Sequence, residues 1–139
     1  MTKTLEDFTG AEYFDSRDVQ ERIDELESEI ETNQETLTEL DEAAAIEELT
    51  EETAELQEEL NILQTFKDDV GSSEWEYGLG FIRTDEFENY AKELAWDIGA
   101  ISKDSSWPNH HIDWAAAAEE LSQDYSIATL GDYDYYFRS

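Results

Sequence analysis

A heptad pattern of apolar residues in the first half of the chain constrains the fold more than any other feature of the sequence. Its positions step alternately by four and three residues and comprise Val19, Ile23, Leu26, Ile30, Asn33, Leu37, Leu40 and Ala44. A second run has the same alternation, out of phase with the first, and comprises Ile46, Leu49, Thr53, Leu56, Leu60 and Leu63. This spacing predicts long helices with a coiled-coil seam in which Asn33 is the polar position.

The phase slip between the two runs predicts two helices, about 16–42 and 46–69, folded back as an antiparallel hairpin. Ser16 is expected to be the N-cap of the first helix, Asp41 could cap the second, and Gly71 is expected to end it. Two alternatives stay open, a continuous helix with a stutter that pairs with another chain, and a hairpin whose bend lies nearer Thr32 and Asn33. No Gly or Pro marks the turn, and three alanines there favour helix.

Aromatic residues mark a second part of different composition. Of the 17 Phe, Trp and Tyr residues, 13 lie at or after Trp75. Trp75–Ile82 is expected to be a strand whose two glycines mark a bulge or a close approach. Thr84 is expected to cap a helix that ends at Gly99, with an apolar face of Phe87, Tyr90, Ala91, Leu94, Ala95 and Ile98.

A second helix is expected to open at Asp113, and "YSIATL", "GD" and "YDYYFR" read as a terminal β-hairpin. The predicted fold class is therefore α+β. It comprises an N-terminal segment 1–15, an acidic antiparallel helical hairpin 16–70, and a small β-α-α-β-β domain 74–139.

The charge is the second strong constraint, because 38 acidic and only 8 basic residues give a formal net charge of -30. Disorder does not explain it, since 39% of the residues are hydrophobic and 12% aromatic. A salt-loving host, cation binding or a basic partner remain. The acidity argues against direct binding of nucleic acid or of anionic membranes. No stretch predicts a signal peptide or a membrane span, so we expect a cytoplasmic location.

The two histidines, adjacent in "NHHIDW", raise the question of a metal or catalytic site. Neighbouring side chains point in different directions, and the chain has no cysteine to complete a zinc site. Asp113 fits the ordinary role of a helix N-cap. No phosphate-binding, dinucleotide-binding or nucleophile-elbow motif is present. We therefore expect no enzyme, no metal and no cofactor, and a metal-dependent enzyme at His110, His111 and Asp113 is the weaker alternative.

The hairpin has a charge density close to that of duplex DNA. From Asp18 to Asp69 there are 20 acidic residues, and a rod of two such helices is roughly 40 Å long. These values give about one acid per 2 Å of rod, which is close to the value for duplex DNA of one charge per about 1.7 Å. The rod could therefore occupy a basic channel built for nucleic acid. The expected partner-binding residues lie off the seam and are Asp24, Glu27, Glu31, Glu48, Glu51, Glu52, Glu55, Glu58 and Glu59.

The second part also resembles a known family. The segments "FENYAKELAWDIGAI", "IDWAAAAEELSQDYS" and "YYFR" resemble the antirestriction family ArdA, over about Phe81 to Arg138. Members of that family are acidic DNA mimics that inhibit type I restriction–modification enzymes. The resemblance implies a bacteriophage protein that acts in the host cytoplasm against a restriction or CRISPR-type defence protein. This chain departs from ArdA in carrying the hairpin in place of repeated small domains, and the resemblance transfers no catalytic residues.

An alternative function belongs to another class. The hairpin could be a non-enzymatic coiled-coil adaptor or structural element that binds a partner helix through its seam, with the acidity due to a high-salt host. Residues 1–73 carry a net charge of -20 and the remainder -10, so the acidity is concentrated in the hairpin but not confined to it. A homodimer is also possible, through the seam or through an exposed edge of the sheet.

Overall fold

The computed structural model describes residues 3–99 and 111–138 and has an α+β fold, as predicted. Its helices are α1 (Leu5–Phe8), α2 (Ser16–Glu39), α3 (Ala43–Val70), α4 (Phe87–Asp97) and α5 (Trp114–Ser122). Its strands are β1 (Tyr13–Asp15), β2 (Gly80–Arg83), β3 (Ser126–Leu130) and β4 (Tyr133–Phe137). Short 3₁₀ turns span Trp75–Tyr77 and Thr84–Glu86.

Helices α2 and α3 are joined by three residues and pack against each other, as the heptad pattern indicates. Val19, Ile23, Leu26 and Ile30 on α2 are buried, as are Leu60 and Leu63 on α3. The second helix starts earlier than predicted, at Ala43. Its N-cap is Glu42, which makes no side-chain cap, so the prediction that Asp41 caps it is wrong. Gly71 ends α3 in the left-handed conformation with φ +57°, as expected.

The four strands form one antiparallel sheet in the order β1-β2-β4-β3. Tyr13 lies opposite Ile82, so the N-terminal segment supplies an edge strand that the sequence pattern did not predict. The terminal hairpin β3–β4 is confirmed, with Leu130 opposite Tyr133 across a two-residue turn. Gly131 opens that turn at φ +64°, the position where a primed hairpin turn favours glycine.

The sheet lies between two helical layers. On one face, aromatic side chains of the sheet pack with the N-terminal part of α2 and the C-terminal part of α3 in a single cluster. In it Phe14 stacks on Phe81 at 5.0 Å between ring centroids, and Phe66 of α3 lies 5.0 Å from Phe81. On the other face, Ile82 packs with α4 and α5 in a smaller cluster. The core on the hairpin side therefore crosses the boundaries expected at residues 15 and 70–74.

The region 75–82 differs from its predicted strand. Trp75–Tyr77 forms a 3₁₀ turn and the strand begins only at Gly80. Gly78 has φ +107°, and a Cβ there would lie 2.8 Å from Nε of Arg17. A Cβ at Gly80 would lie 2.8 Å from the ring of Tyr13. Both glycines therefore permit the close approach that the sequence predicted, although the strand is shorter.

Ser16 is not the N-cap of α2. That position belongs to Asp15, whose carboxylate accepts the backbone N–H of Arg17 at 2.8 Å. Ser16 is fully buried, and its hydroxyl accepts the N–H of Leu79 and donates to the carbonyl of Trp75, both at 2.7 Å. Ser16 therefore links the start of α2 to Trp75 and Leu79, a tertiary contact that local capping rules cannot predict.

The helices of the opposite layer follow the predicted pattern in part. Asp113 caps α5 as expected, because its Oδ1 accepts the backbone N–H of Ala116 at 3.1 Å. Helix α4 begins at Phe87 after Glu86 without a side-chain cap, so the prediction that Thr84 caps it is wrong. Thr84 opens the short 3₁₀ turn before α4 instead. Ile98, expected on the apolar face, is 69% exposed.

Candidate functional site

The candidate site is a segment of α2 and α3 without any cationic residue. Between Arg22 and Lys67, residues 23–66 contain 16 acidic residues and no Lys, Arg or His. We call this segment the acidic arm. Its acids are Asp24, Glu25, Glu27, Glu29, Glu31, Glu35, Glu39, Asp41, Glu42, Glu47, Glu48, Glu51, Glu52, Glu55, Glu58 and Glu59.

Packing divides the arm into a base and an outer part. The base, up to Ile30 on α2 and from Leu60 on α3, belongs to the main core. None of the residues 31–59 is fully buried. Their facing apolar side chains, such as Leu37 and Leu49, are half-buried, which is expected where two helices are covered chiefly by each other.

The acids of the arm face outwards. All of them are exposed except Glu25 and Glu59, which are half-buried. On α3, Glu48, Glu51, Glu55 and Glu58 step by three and four residues, so they lie on the side of the helix opposite the seam. On α2, Glu27, Glu31, Glu35 and Glu39 form a ladder with a step of four. The arm therefore presents carboxylates along both helices.

Eight of the nine predicted site residues lie on this exposed surface. Asp24 accepts a hydrogen bond from the amide of Gln20 at 2.9 Å, and Glu27 accepts one from the amide of Gln64 at 3.1 Å. The other six make no ion pair within the described residues, and they are Glu31, Glu48, Glu51, Glu52, Glu55 and Glu58.

The ninth predicted residue, Glu59, lies inside the structure. Its carboxylate accepts hydrogen bonds from Nε and Nη2 of Arg22 at 2.7 and 2.9 Å and from the backbone N–H of Leu5 at 3.1 Å. The bond from Arg22, supported by that from Leu5, holds the pKa of Glu59 below its usual value against the opposing effect of burial. Glu59 therefore joins α1, α2 and α3, and its carboxylate is engaged rather than open to a partner.

The cations that border the arm are engaged at its base. Arg22 also donates to Glu25, and its side chain is only 10% exposed. Lys67 donates to Oε1 of Gln20 at 2.8 Å and lies 5.9 Å from the ring centroid of Trp75. Neither cation reaches the outer part of the arm, so its charge is not neutralised from within the described chain.

Six further exposed acids belong to the same surface although the seam argument did not select them. They are Glu29, Glu35, Glu39, Asp41, Glu42 and Glu47. The absence of Lys and Arg from 23–66 is visible in the sequence and would have identified them. The interaction of Glu59 with Arg22, 37 residues earlier, has no comparable signal in the sequence.

Only part of the histidine region belongs to the described residues. His110 lies outside the described residues, and His111 is exposed in a short turn. Within residues 3–99 and 111–138, no group of three or more His, Cys, Asp or Glu side chains is placed to hold a metal ion. In the same two ranges, no helix is both long enough and apolar enough to cross a membrane.

Comparisons with known protein families, with curated proteins and with solved structures found no match. The resemblance of residues 81–138 to ArdA therefore stays a prediction.

Proposed function

We propose that this protein is an acidic DNA mimic that inhibits a host defence protein by occupying its nucleic-acid-binding surface. The observation that supports the proposal best is the acidic arm, with 16 acids, no cation and 14 exposed carboxylates in 44 residues. A basic channel that binds phosphates through Lys and Arg would bind such a surface electrostatically. The inhibition is stoichiometric and needs no catalytic residue, metal or cofactor.

The charge spacing supports this function. The part of α3 that belongs to the outer arm runs over 17 residues, from Ala43 to Glu59, which is about 26 Å of helix, and the acids of α2 lie alongside. The 14 exposed acids of the arm over this length correspond to about one charge per 1.9 Å, against about 1.7 Å of axis for duplex DNA. The arm therefore offers a basic channel a charge density similar to that of its normal ligand.

The energetic cost of the arm also favours an external partner. Like charges four residues apart on a helix destabilise it by about 0.2–0.5 kcal/mol per pair. Glu27, Glu31, Glu35 and Glu39 form three such pairs in succession, and α3 adds others. No cation in the arm offsets them. Lysines among these acids would make the two helices more stable. The uniformly negative charge of the arm is therefore better explained by binding to a partner than by stability.

The ArdA-like segment suggests the biological setting. A phage-encoded protein in the host cytoplasm would meet restriction enzymes and RNA-guided nucleases, both of which hold nucleic acid in basic grooves. Carboxylates on helices cannot imitate base edges, so the mimic would compete for the phosphate-reading surface and be indifferent to the recognition sequence of its target. Direct binding of nucleic acid or membranes is not part of the proposal.

An adaptor function through the seam has less support. The seam side chains at the base, including Ile23, Leu26 and Leu63, are buried within the chain's own core. Those of the outer part, apart from the exposed Ala44, are half-buried between the two helices. A partner helix would therefore have to displace α2 or α3 to reach a continuous apolar stripe.

The proposal can be tested in bacteria that each carry one defence system, either a restriction–modification system or an RNA-guided nuclease. Plating of an unprotected phage would be measured with and without expression of this protein. We expect plating to recover in at least one strain. Unchanged plating in every strain, with the protein shown to be expressed and folded, would overturn the proposal.

Two matched variants assign any effect to the arm. The arm-glutamine variant replaces Glu48, Glu51, Glu52, Glu55 and Glu58 by Gln. The body variant replaces five exposed acids outside the arm by their amides, namely Glu88, Glu93, Glu119, Glu120 and Asp124. Both remove five charges, so only the position differs. We expect the arm-glutamine variant to lose the protection and the body variant to keep it.

A further inference from the structure

Strand β3 forms one edge of the sheet, and in the described part of the chain no strand pairs with its outer side. Leu130 and Tyr133 flank the two-residue turn, so they form a hydrogen-bonded pair. Because such pairs alternate along an antiparallel ladder, Ala128 bonds to β4 as well, whereas the backbone groups of Ile127 and Thr129 point away from it. These two residues present a free edge that can bond to another strand.

The side chains of β3 lack the devices that usually protect such an edge. Natural sheets protect their edges with charged residues, proline or bulges. Among the described strands, β3 alone carries no acidic or basic side chain, since β1, β2 and β4 contain Asp15, Arg83 and Asp134. Ile127 is also 57% exposed. In a chain with 33% charged residues, β3 itself is neutral and partly apolar, and the acid beside it, Asp134 of β4, accepts a hydrogen bond from the Thr129 hydroxyl at 2.6 Å.

The surface beside the edge is neutral too. Asn61, Ile62 and Thr65 of α3 line a shallow groove of about 260 Å³ together with Thr129, Leu130 and Gly131. None of the residues that line it is charged, and Ile62 is 38% exposed. The neutral patch thus spans β3 and the adjacent side of α3.

We propose that a second copy of this chain binds here, with the two β3 strands paired antiparallel around a two-fold axis at Ala128. In this register Ile127 lies opposite Thr129 of the other copy, and the two outward-pointing residues of each strand form the hydrogen-bonded pairs. The β-branched side chains of Ile127 and Thr129 meet on one face, a favourable cross-strand combination. The two sheets become one sheet of eight strands.

Charge favours a second copy at this edge rather than elsewhere. Two chains of -30 each repel over most of their surfaces, and a neutral strip allows them to approach with least repulsion. The opposite sheet edge, β1, ends in Asp15 and is preceded by Glu12. The free edge of β3 can form hydrogen bonds with the same edge of a second copy, whereas the acidic arm can bind only cationic surfaces.

Sedimentation equilibrium of the full chain over a range of concentrations tests the dimer. Ile127→Lys places a charge on the free edge, and Tyr13→Lys is its matched control, because Tyr13 is also 57% exposed and lies on the other edge strand. We expect Ile127→Lys to weaken dimerisation by about tenfold or more, and Tyr13→Lys to leave it unchanged. A wild-type monomer at every concentration, or equal dimerisation of all three proteins, would overturn the proposal.

Amide hydrogen exchange tests the register without any substitution. We expect the N–H groups of Ile127 and Thr129 to exchange rapidly in dilute protein and slowly in concentrated protein. The N–H of Ala128, already bonded to β4, should be protected in both. Protection of Ile127 and Thr129 that does not depend on concentration would contradict the β3 pairing.

Salt separates this inference from the proposed function. Added NaCl screens the repulsion between two copies and should strengthen the dimer, whereas it should weaken binding of the acidic arm to a basic target. The arm-glutamine variant should still dimerise. If the protein does not dimerise, the proposed function of the arm is unaffected. If the arm does not inhibit a defence protein, the proposed dimer is unaffected.

Discussion

The guanidinium of Arg22 holds the carboxylate of Glu59 through two hydrogen bonds of 2.7 and 2.9 Å, across the two helices of the arm. The same carboxylate accepts the backbone N–H of Leu5. One acid of a series that is mostly exposed thus links the two helices of the hairpin to each other and to the N-terminal helix. The neighbouring Glu58, one residue earlier, is exposed. Substitutions at these two glutamates therefore distinguish the effect of the Arg22 contact on stability from the effect of surface charge.

Replacing Glu59 by Gln should therefore destabilise the protein, by about 2 kcal/mol, because the hydrogen bonds to a charged group are weakened and Arg22 loses a partner while Glu25 remains. Glu58→Gln removes the same charge from the exposed side and should change the free energy of unfolding by less than about 0.5 kcal/mol. Urea unfolding of both variants measures the difference. Equal effects would show that the Arg22 contact contributes nothing.

The contribution of Glu59 should also depend on pH. Its pKa is lower in the folded protein than the usual value of 4.5, so the carboxylate stabilises the fold fully above that value. The stabilisation is lost as the pH falls through the lower pKa of the folded state. The stability difference between wild type and Glu59→Gln should therefore be constant near neutral pH and shrink below about pH 4.5. A difference that grows on acidification would contradict this assignment.

The buried hydroxyl of Ser16, at the start of α2, offers a second test of the contacts that hold the fold together. Ser16→Ala removes the hydroxyl that accepts the N–H of Leu79 and donates to the carbonyl of Trp75, and leaves both groups without that partner. We expect a loss of about 1–3 kcal/mol in the free energy of unfolding. Ser28→Ala, on the exposed side of the same helix, is the control and should be nearly neutral. Thermal or urea unfolding decides between them.

The charge of the arm should cost stability at low salt. The arm-glutamine variant removes several like-charge pairs, so it should be more stable than wild type by about 1–2 kcal/mol in dilute buffer. The gain should shrink as NaCl screens the repulsion. Circular dichroism melting at two salt concentrations measures both effects. A variant less stable than wild type would mean that the acids stabilise the helix, and their uniform charge would then need no external partner to explain it.

The heptad pattern predicted the arm well because a seam of apolar residues is a local property of the chain. The helices observed as Ser16–Glu39 and Ala43–Val70 lie close to the predicted 16–42 and 46–69. Asp113 as the cap of α5 and the β3–β4 hairpin are equally local and were also predicted. Exposure of Glu48, Glu51 and Glu55 follows from the same helical period.

Features that depend on distant contacts could not be predicted in this way. Strand β1 has three residues, and it is defined by pairing with β2, as in Tyr13 opposite Ile82. Ser16 resembled an N-cap because its role depends on Trp75 and Leu79, about 60 residues away. Glu59 resembled its exposed neighbours until the fold brought Arg22 beside it. Each of these errors comes from a tertiary interaction that replaced a local preference.

DNA mimicry requires that the carboxylates of the acidic arm bind a surface made for nucleic acid. The most direct measurement is the affinity of this protein for a defence nuclease that it inhibits in cells, determined from displacement of a labelled DNA duplex over a series of NaCl concentrations. We expect competition with the duplex and an affinity that falls steeply with salt. The arm-glutamine variant should bind more weakly and with a shallower salt dependence, whereas the body variant should match wild type. Binding that does not displace DNA, or a salt dependence that is equal in both variants, would contradict DNA mimicry by the arm.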